Sequence, residues 1–186
     1  MRKRLGLAAA LVACILPAVA AVASGAAPRS VNVSLTGVST WTGDFGSVTA
    51  FAIQGTFTDT SETGKRLRTG SYSGTLTTGT YGPPNGCPFA TEFNAAPVSG
   101  TIDFVTSNGT ITTEVAPGGL VCSEQIGAHG EASNFDLTLQ VTGGTRAYAG
   151  VSGTLHLSYQ SLVILDFFGN PEGPNDTGTL TGALVG

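Results

Sequence analysis

Charged side chains are scarce in this sequence, because Asp, Glu, Lys and Arg together make up only 11% of its 186 residues. Three of the eight basic residues lie at positions 2–4, which leaves five basic residues against twelve acidic ones in the rest of the chain. The only basic cluster there is the short run at residues 65–68. Nucleic-acid binding requires clustered Lys and Arg that release counterions from the phosphates. The composition therefore predicts no nucleic-acid partner.

Catalytic and cofactor signatures are also missing. The nucleophile elbow G-x-S-x-G does not occur, and the glycines fit neither phosphate-loop spacing. There are two histidines, of which His129 lies near Glu131 and Glu124. Three scattered ligands in a loop are a weak metal site, because metal ligands are usually held by rigid elements. The sequence therefore predicts no cofactor and no metal, and it leaves open whether the protein is an enzyme, with the non-catalytic reading favoured.

Cysteine occurs three times, and Cys14 lies in the apolar N-terminal stretch. The other two, Cys87 and Cys122, form an even pair, which is typical of a structural disulfide in an exported protein. A metal site is the alternative, but no second Cys or His lies at ligand spacing from either cysteine. The sequence therefore predicts a disulfide between Cys87 and Cys122.

The N-terminus is typical of a secretory signal peptide. A basic start is followed by an apolar run over residues 5–23, and small residues place a cleavage site after Ala23 or after Ala20. We therefore expect residues 1–23 to be a signal peptide, residues 24–186 to form one domain, and the protein to be secreted.

Two alternatives to cleavage remain. The apolar run approaches the length of a membrane anchor, although Pro17 and the small-residue ending favour cleavage. Residues 11–14 also resemble the lipobox of bacterial lipoproteins, in which the cysteine is lipidated, but the residues after Cys14 stay apolar where that family turns polar. On this prediction the protein is associated with a membrane only if Cys14 is lipidated.

The remaining chain has the pattern of short strands and turns rather than helices. Glycine accounts for 27 residues, and apolar residues alternate with small polar ones, as in antiparallel sheets with one buried face. The alternation predicts about eight strands, near residues 31–36, 51–57, 70–79, 98–106, 109–115, 135–142, 154–159 and 177–185.

A unit of glycine, threonine and an apolar residue recurs six times without a fixed period. Glycine inside a strand marks a bulge or a sharp bend, which a sheet needs in order to close. The sequence therefore predicts an all-β fold, a single antiparallel barrel of about eight strands with no helix after the signal peptide. The units begin at Gly55, Gly74, Gly100, Gly109, Gly153 and Gly178.

Longer irregular segments are predicted at residues 81–97 and 116–134, each of which carries one cysteine. The disulfide is therefore expected to tie two loops together over one end of the barrel. Residues 169–176, rich in Pro and Gly, are expected to form the turn before the final strand.

One passage resembles a known family. The matching residues are Gly143, Gly144, Thr145, Tyr148, Ala149, Gly150 and Gly153. They are similar to the Gly-Gly-Thr-Gly-x-aromatic-x-Gly-Ala-x-Gly stretch of the allene oxide cyclase and dirigent-like barrels, a pattern that many secreted bacterial proteins share. Arg146 stands in place of the third glycine, and Val151 in place of an alanine.

The resemblance implies an eight-stranded antiparallel barrel with a central, mostly apolar cavity. It also implies that this stretch is a turn between strands, with Tyr148 packed inward. The resemblance transfers no activity, because the two branches of the family perform different chemistry and a shared fold does not fix function.

The candidate catalytic residues are Asp103, His156 and Tyr159. A carboxylate or histidine inside the lumen could perform proton chemistry, whereas the same group on the outer face is an ordinary surface residue. The alternation places His156 and Asp136 on the polar face and leaves the orientation of Asp103 open. Trp41 is expected to pack in the core or to plug the barrel.

Two functional hypotheses follow. The first is non-catalytic binding of a small apolar or aromatic ligand in the barrel, or a role at the cell surface. The second is an isomerase or cyclase acting on a lipid-like substrate, which requires a carboxylate or histidine inside the lumen.

Overall fold

The structure is a computed structural model, and it describes residues 27–42, 49–60, 67–83, 86–87, 94–126, 130–164 and 176–186. The predictions for the signal peptide, its cleavage site and Cys14 fall outside these residues. Within the described ranges, no helix is long and apolar enough to cross a membrane.

Nine strands make up the described chain, and the one helical element is a single 3-10 turn at Arg146–Tyr148. The strands are β1 (Arg29–Thr42), β2 (Thr49–Asp59), β3 (Thr69–Thr78), β4 (Asn94–Thr106), β5 (Gly109–Val115), β6 (Leu120–Ile126), β7 (Gly130–Gly144), β8 (Ser152–Ile164) and β9 (Asp176–Val185).

The nine strands close into an antiparallel barrel with eight positions around its wall. Strands β1 to β4 pair in chain order, β7 to β9 do the same, and β9 pairs with β1. Strands β5 and β6 occupy one position end to end, because both pair with β4 on one side and β7 on the other. The predicted all-β barrel of about eight strands is confirmed.

The register shows that the strands tilt around the barrel axis. Following cross-strand partners from Thr40 once around the eight wall positions, by way of β5, leads back to β1 at Ser30 instead of Thr40. Such a stagger is what closure of a tilted sheet requires.

Strand β6 corrects the prediction of an irregular segment over residues 116–134. The segment contains all of β6 and the first residues of β7. Val121 faces the core while Cys122 is buried on the opposite face, so β6 does not show the alternation of buried and exposed residues that marks a half-buried strand. The predicted irregular segment 81–97 likewise ends in strand, because β4 begins at Asn94.

The predicted disulfide between Cys87 and Cys122 is present, with a Cα–Cα distance of 5.9 Å. Its position differs from the prediction, because Cys122 lies within β6 and not in a loop. Ala95 pairs with Cys122 and packs with the two cysteines in a small cluster apart from the main core. The disulfide therefore fastens the connection between β3 and β4 to the outer wall of the barrel.

In all six glycine-threonine-apolar units, the glycine and the apolar residue face the lumen. In each unit the apolar residue is buried in the core cluster, so the glycine two positions earlier faces the lumen as well. A Cβ on any of these glycines would lie 2.1–2.9 Å from a carbonyl oxygen of a neighbouring segment. Side chains at these positions would block the close approach, which is why the units allow the sheet to coil.

The two ends of the barrel differ in character. At one end, where β1 begins and β7 turns into β8, apolar side chains close the lumen, and we call it the apolar end. Its plug includes Val31, Leu67, Tyr148, Val151 and Leu184, all buried. We call the opposite end, where β8 finishes and β9 begins, the polar end.

The turn between β7 and β8 has the conformation that the family resemblance implies. Tyr148 is buried, and its hydroxyl accepts a hydrogen bond from Thr106 Oγ1 at 3.3 Å. Arg146, which replaces the third glycine of the pattern, has a φ of 53°. This left-handed conformation costs little for glycine but is unfavourable for residues with a Cβ.

We expect Arg146→Gly to raise the free energy of unfolding by about 0.5–1 kcal/mol, because relief of left-handed strain exceeds the extra chain entropy of glycine. Chemical denaturation measures the change. Arg146→Ala is the control and should not gain stability, since it keeps the Cβ. Equal stability of the two variants would show that the turn is not strained.

Candidate functional site

A hydrogen-bonded chain of three polar side chains crosses the lumen. The hydroxyl of Tyr159, on β8, donates to Asp176 Oδ2 at 2.8 Å and lies 3.2 Å from the hydroxyl of Tyr72, on β3. Strands β3 and β8 are four positions apart in the ring of eight, so the tyrosines reach each other from opposite walls. Asp176 is only 4% exposed. Tyr159 is thus the one sequence candidate that faces the lumen.

Aromatic rings occupy the space around this chain. Phe51 and Phe135, also from opposite walls, contact edge to face with ring centroids 5.5 Å apart. The side chain of Tyr72 lies over two glycines, because a Cβ on Gly37 would come within 2.3 Å of its hydroxyl oxygen and a Cβ on Gly55 within 2.8 Å of its ring. Side chains therefore fill the middle of the lumen, where the resemblance implies an open cavity.

The two tyrosines are held in their neutral form. Burial is the main cause that raises the pKa of Tyr159, and the hydrogen bond with Tyr72 and the nearby Asp176 carboxylate raise it further. Burial also raises the pKa of Tyr72. Both hydroxyls therefore keep their protons, and Tyr159 remains a donor to the carboxylate.

A second polar group lines the lumen at the polar end. Its members come from four strands and from the residues that follow β3, and they lie above the Phe51 and Phe135 rings. Ser39 is hydrogen-bonded to Ser161, and Ser123 Oγ lies 2.9 Å from Ser133 Oγ. Tyr81 also belongs to this group, because its hydroxyl lies 3.3 Å from Ser123 Oγ.

Glu131 is the carboxylic acid of this group. It lies on the same face of β7 as Ser133, is hydrogen-bonded to Ser123, and burial raises its pKa above the ordinary value of 4.5. Burial also raises the pKa of Tyr81, and the Glu131 charge adds to this effect. Thr78, the last residue of β3, is buried and is hydrogen-bonded to Tyr81. We refer to Thr78, Tyr81, Ser123, Glu131 and Ser133 as the polar-end cluster.

The other two catalytic candidates lie outside the lumen. Asp103 is flanked by Ile102 and Phe104, which face the core, so its side chain is on the outer wall. Its Oδ1 is buried and has no hydrogen-bond partner among the described residues. His156 is 54% exposed, and its Nε2 lies 3.3 Å from Oδ1 of Asp136 on the neighbouring strand. His156 and Asp136 therefore lie on the outer face, as the alternation predicts, and the orientation of Asp103, which the sequence left open, is outward as well.

Of the residues weighed as metal ligands, Glu124 and Glu131 are described, and they point to opposite faces of the wall. Glu124 pairs with Ala132, next to Glu131, and the alternation along β6 directs Glu124 outward while Glu131 points inward. His129 and the side chain of Trp41 lie outside the described residues. In the described part of the chain, no three His, Cys, Asp or Glu side chains are grouped as metal ligands.

Sequence reasoning missed Asp176 and Glu131 as lumen residues. Asp176 was expected in the turn before the last strand, but it begins β9 and precedes the inward positions of Gly178 and Leu180 by even steps. Side chains at every second position of a strand face the same side, so counting back from the inward residues of β9 and of β7 would have placed both carboxylic acids in the lumen.

Comparison with known proteins gives no relative. No family model, no curated protein and no solved structure matches this chain.

We expect Glu131→Gln to stabilise the protein at pH 7 but not at pH 4. Because the folded pKa of Glu131 is raised, its favourable contribution is complete below pH 4.5 and declines as pH rises through the folded pKa. Glutamine does not ionise, so the variant does not lose stability in this way as pH rises. Unfolding free energies at the two pH values test the prediction, with Glu124→Gln on the outer wall as the matched control. A gain of equal size at both pH values would contradict a raised pKa.

Proposed function

We propose that this is a secreted, non-catalytic binding protein that holds a small, largely apolar or aromatic ligand at the polar end of its barrel. The ligand carries a hydroxyl or carbonyl group that pairs with the polar-end cluster. Its apolar part lies towards the Phe51 and Phe135 rings.

The observation that carries this proposal is the uneven distribution of buried polar groups. Among the described residues, seven polar or acidic side chains are buried, and five of them lie at the polar end: Thr78, Ser123, Ser133, Ser161 and Asp176. Buried hydroxyls and carboxyls stabilise a fold less than apolar packing does, because their desolvation opposes the hydrogen bonds they make. Their concentration at one end is therefore typical of a site for a ligand.

The filled lumen limits where a ligand can bind. The Tyr72–Tyr159 and Phe51–Phe135 contacts close the middle of the barrel, and the apolar plug closes the far end. A ligand that enters from the polar end would meet Glu131, Ser123 and Tyr81 before it meets the aromatic rings. This order favours a compact amphipathic molecule over a long chain threaded through the barrel.

Secretion and family membership are parts of the same proposal. The N-terminal sequence supports export, and the disulfide agrees with an oxidising compartment. The eight-position barrel and the buried Tyr148 agree with the allene oxide cyclase and dirigent-like barrels, but agreement in fold supports neither of their activities for this chain.

An isomerase or cyclase is the second candidate, and one observation favours it. Glu131 is a carboxylic acid whose pKa burial raises, placed near Tyr81 through Ser123, and such a group can serve as a proton donor or acceptor. This candidate predicts chemical conversion of the ligand, abolished by Glu131→Gln.

Native mass spectrometry of the protein purified from its own host tests the binding proposal. We expect a stoichiometric bound molecule, which denaturing extraction then identifies. Ser123→Ala should weaken binding of the recovered compound about tenfold, because it removes hydrogen bonds at the centre of the cluster.

Thr113→Val is the matched control, since it also removes one buried hydroxyl but lies on β5, away from the polar-end cluster. It should change the affinity less than twofold. Equal weakening by both variants would place the ligand elsewhere, and protein free of any bound molecule would favour a structural or surface role. Recovery of a converted product would favour the enzyme.

A further inference from the structure

The three basic residues that the structure describes all lie at one end of the barrel. After position 4 the sequence contains five basic residues: Arg29, Lys65, Arg66, Arg68 and Arg146. Arg29 begins β1, Arg68 directly precedes β3, and Arg146 lies in the turn between β7 and β8. All three positions are at the apolar end, and all three side chains are exposed. Residues 65 and 66 fall between β2 and β3 in the sequence and lie outside the described residues.

The acidic residues are distributed in the opposite way. Glu124, Glu131 and Asp176 are at the polar end. In the sequence, the segments between β1 and β2, between β3 and β4 and between β8 and β9 contain four further acidic residues and no basic one, at positions 44, 92, 166 and 172. At the apolar end, Asp59 at the end of β2 is buried and accepts a hydrogen bond from the backbone N–H of Leu67. Glu62 is the one acidic residue in the sequence between β2 and β3. Although the protein is acidic, its apolar end therefore carries a basic rim, formed by Arg29, Arg68 and Arg146.

Backbone geometry supports a role for the arginines. Among the described residues, two non-glycine residues have left-handed φ values, and both are on this rim: Arg68 at 55° and Arg146 at 53°. Glycine would fit either position with less strain, so an arginine at each of them costs local stability. Strained positions of this kind are typical of functional sites.

The end that carries the rim is also the end from which the N-terminal segment enters the barrel, because β1 begins there. We propose that this rim docks the protein on an anionic lipid bilayer, with the barrel axis upright and the polar end directed away from the membrane. The docking surface consists of Arg29, Arg68 and Arg146.

Charge screening allows this orientation despite the acidic composition. A strand of ten residues rises roughly 30 Å, so even a tilted barrel separates its ends by about 25 Å. The Debye length at physiological ionic strength is about 8 Å, so the acids of the polar end are screened from a bilayer at the apolar end. Basic residues close to an anionic membrane each strengthen binding about fivefold.

Vesicle flotation tests the proposal, using the protein as its own cells export it. We expect binding to vesicles of phosphatidylcholine with one third phosphatidylglycerol to exceed binding to pure phosphatidylcholine at 0.1 M salt. The preference should disappear at 1 M salt. Comparing the two lipids isolates the rim, because an apolar or lipidated N-terminus would bind both.

Three variants distinguish the effect of the rim arginines on vesicle binding from the effect of net charge. R29Q/R68Q/R146Q should lower the anionic preference about a hundredfold, at fivefold for each charge. Q54E/Q140E/Q160E changes the net charge by the same three units at exposed positions on the wall and should lower it less than threefold. R29K/R68K/R146K should keep it.

Several results would overturn the proposal. One is equal binding of the unaltered protein to both lipids, and another is equal loss in the arginine and glutamine triple variants. Tighter binding to dextran sulfate than to vesicles, compared per negative charge, would assign the rim to a soluble polyanion. Ligand recovery from the polar end is independent of these outcomes, because the rim lies at the other end.

Discussion

The contact between Tyr72 and Tyr159 across the lumen is the constraint on which the rest of this barrel depends. Tyr72 reaches the centre because Gly37 and Gly55 leave room for its ring, and Tyr159 is oriented by its hydrogen bond to Asp176. Together with the Phe51–Phe135 contact, this chain joins walls that the sheet itself connects only through neighbouring strands. The glycines permit the sheet to coil, and the aromatic side chains set how far it closes.

Closing the middle of the barrel gives its two ends separate properties. The apolar end is sealed by side chains such as Leu67 and Tyr148 and carries a basic rim, whereas the polar end holds hydroxyls, Glu131 and an excess of acidic residues. The two proposals divide along the same line, with a small ligand at the polar end and a membrane at the apolar end. A protein held in this way would present its binding site away from the membrane.

Period-two alternation predicted most of the strands and the barrel, because each strand buries one face and exposes the other. It failed at β6, where the disulfide cluster covers the outer face and buries Cys122, while Val121 is buried on the inner face. The number of cysteines alone predicted the disulfide pairing. Its position on the barrel wall became known only from the strand register, in which Cys122 pairs with Ala95. Asp176 and Glu131 were missed because a carboxylic acid in a lumen contradicts the expectation for a core position. Only tertiary contacts supply their partners, Tyr159 and Ser123.

A double-mutant cycle on Tyr72 and Tyr159 tests most directly whether the two walls meet across the lumen. The free energy of unfolding is measured for Tyr72→Phe, Tyr159→Phe and the double variant, so that the loss of the Asp176 hydrogen bond cancels between the two branches. The account predicts a coupling energy of about 0.5–1.5 kcal/mol, the usual contribution of one buried hydrogen bond. Additivity of the two substitutions to within about 0.3 kcal/mol would contradict it.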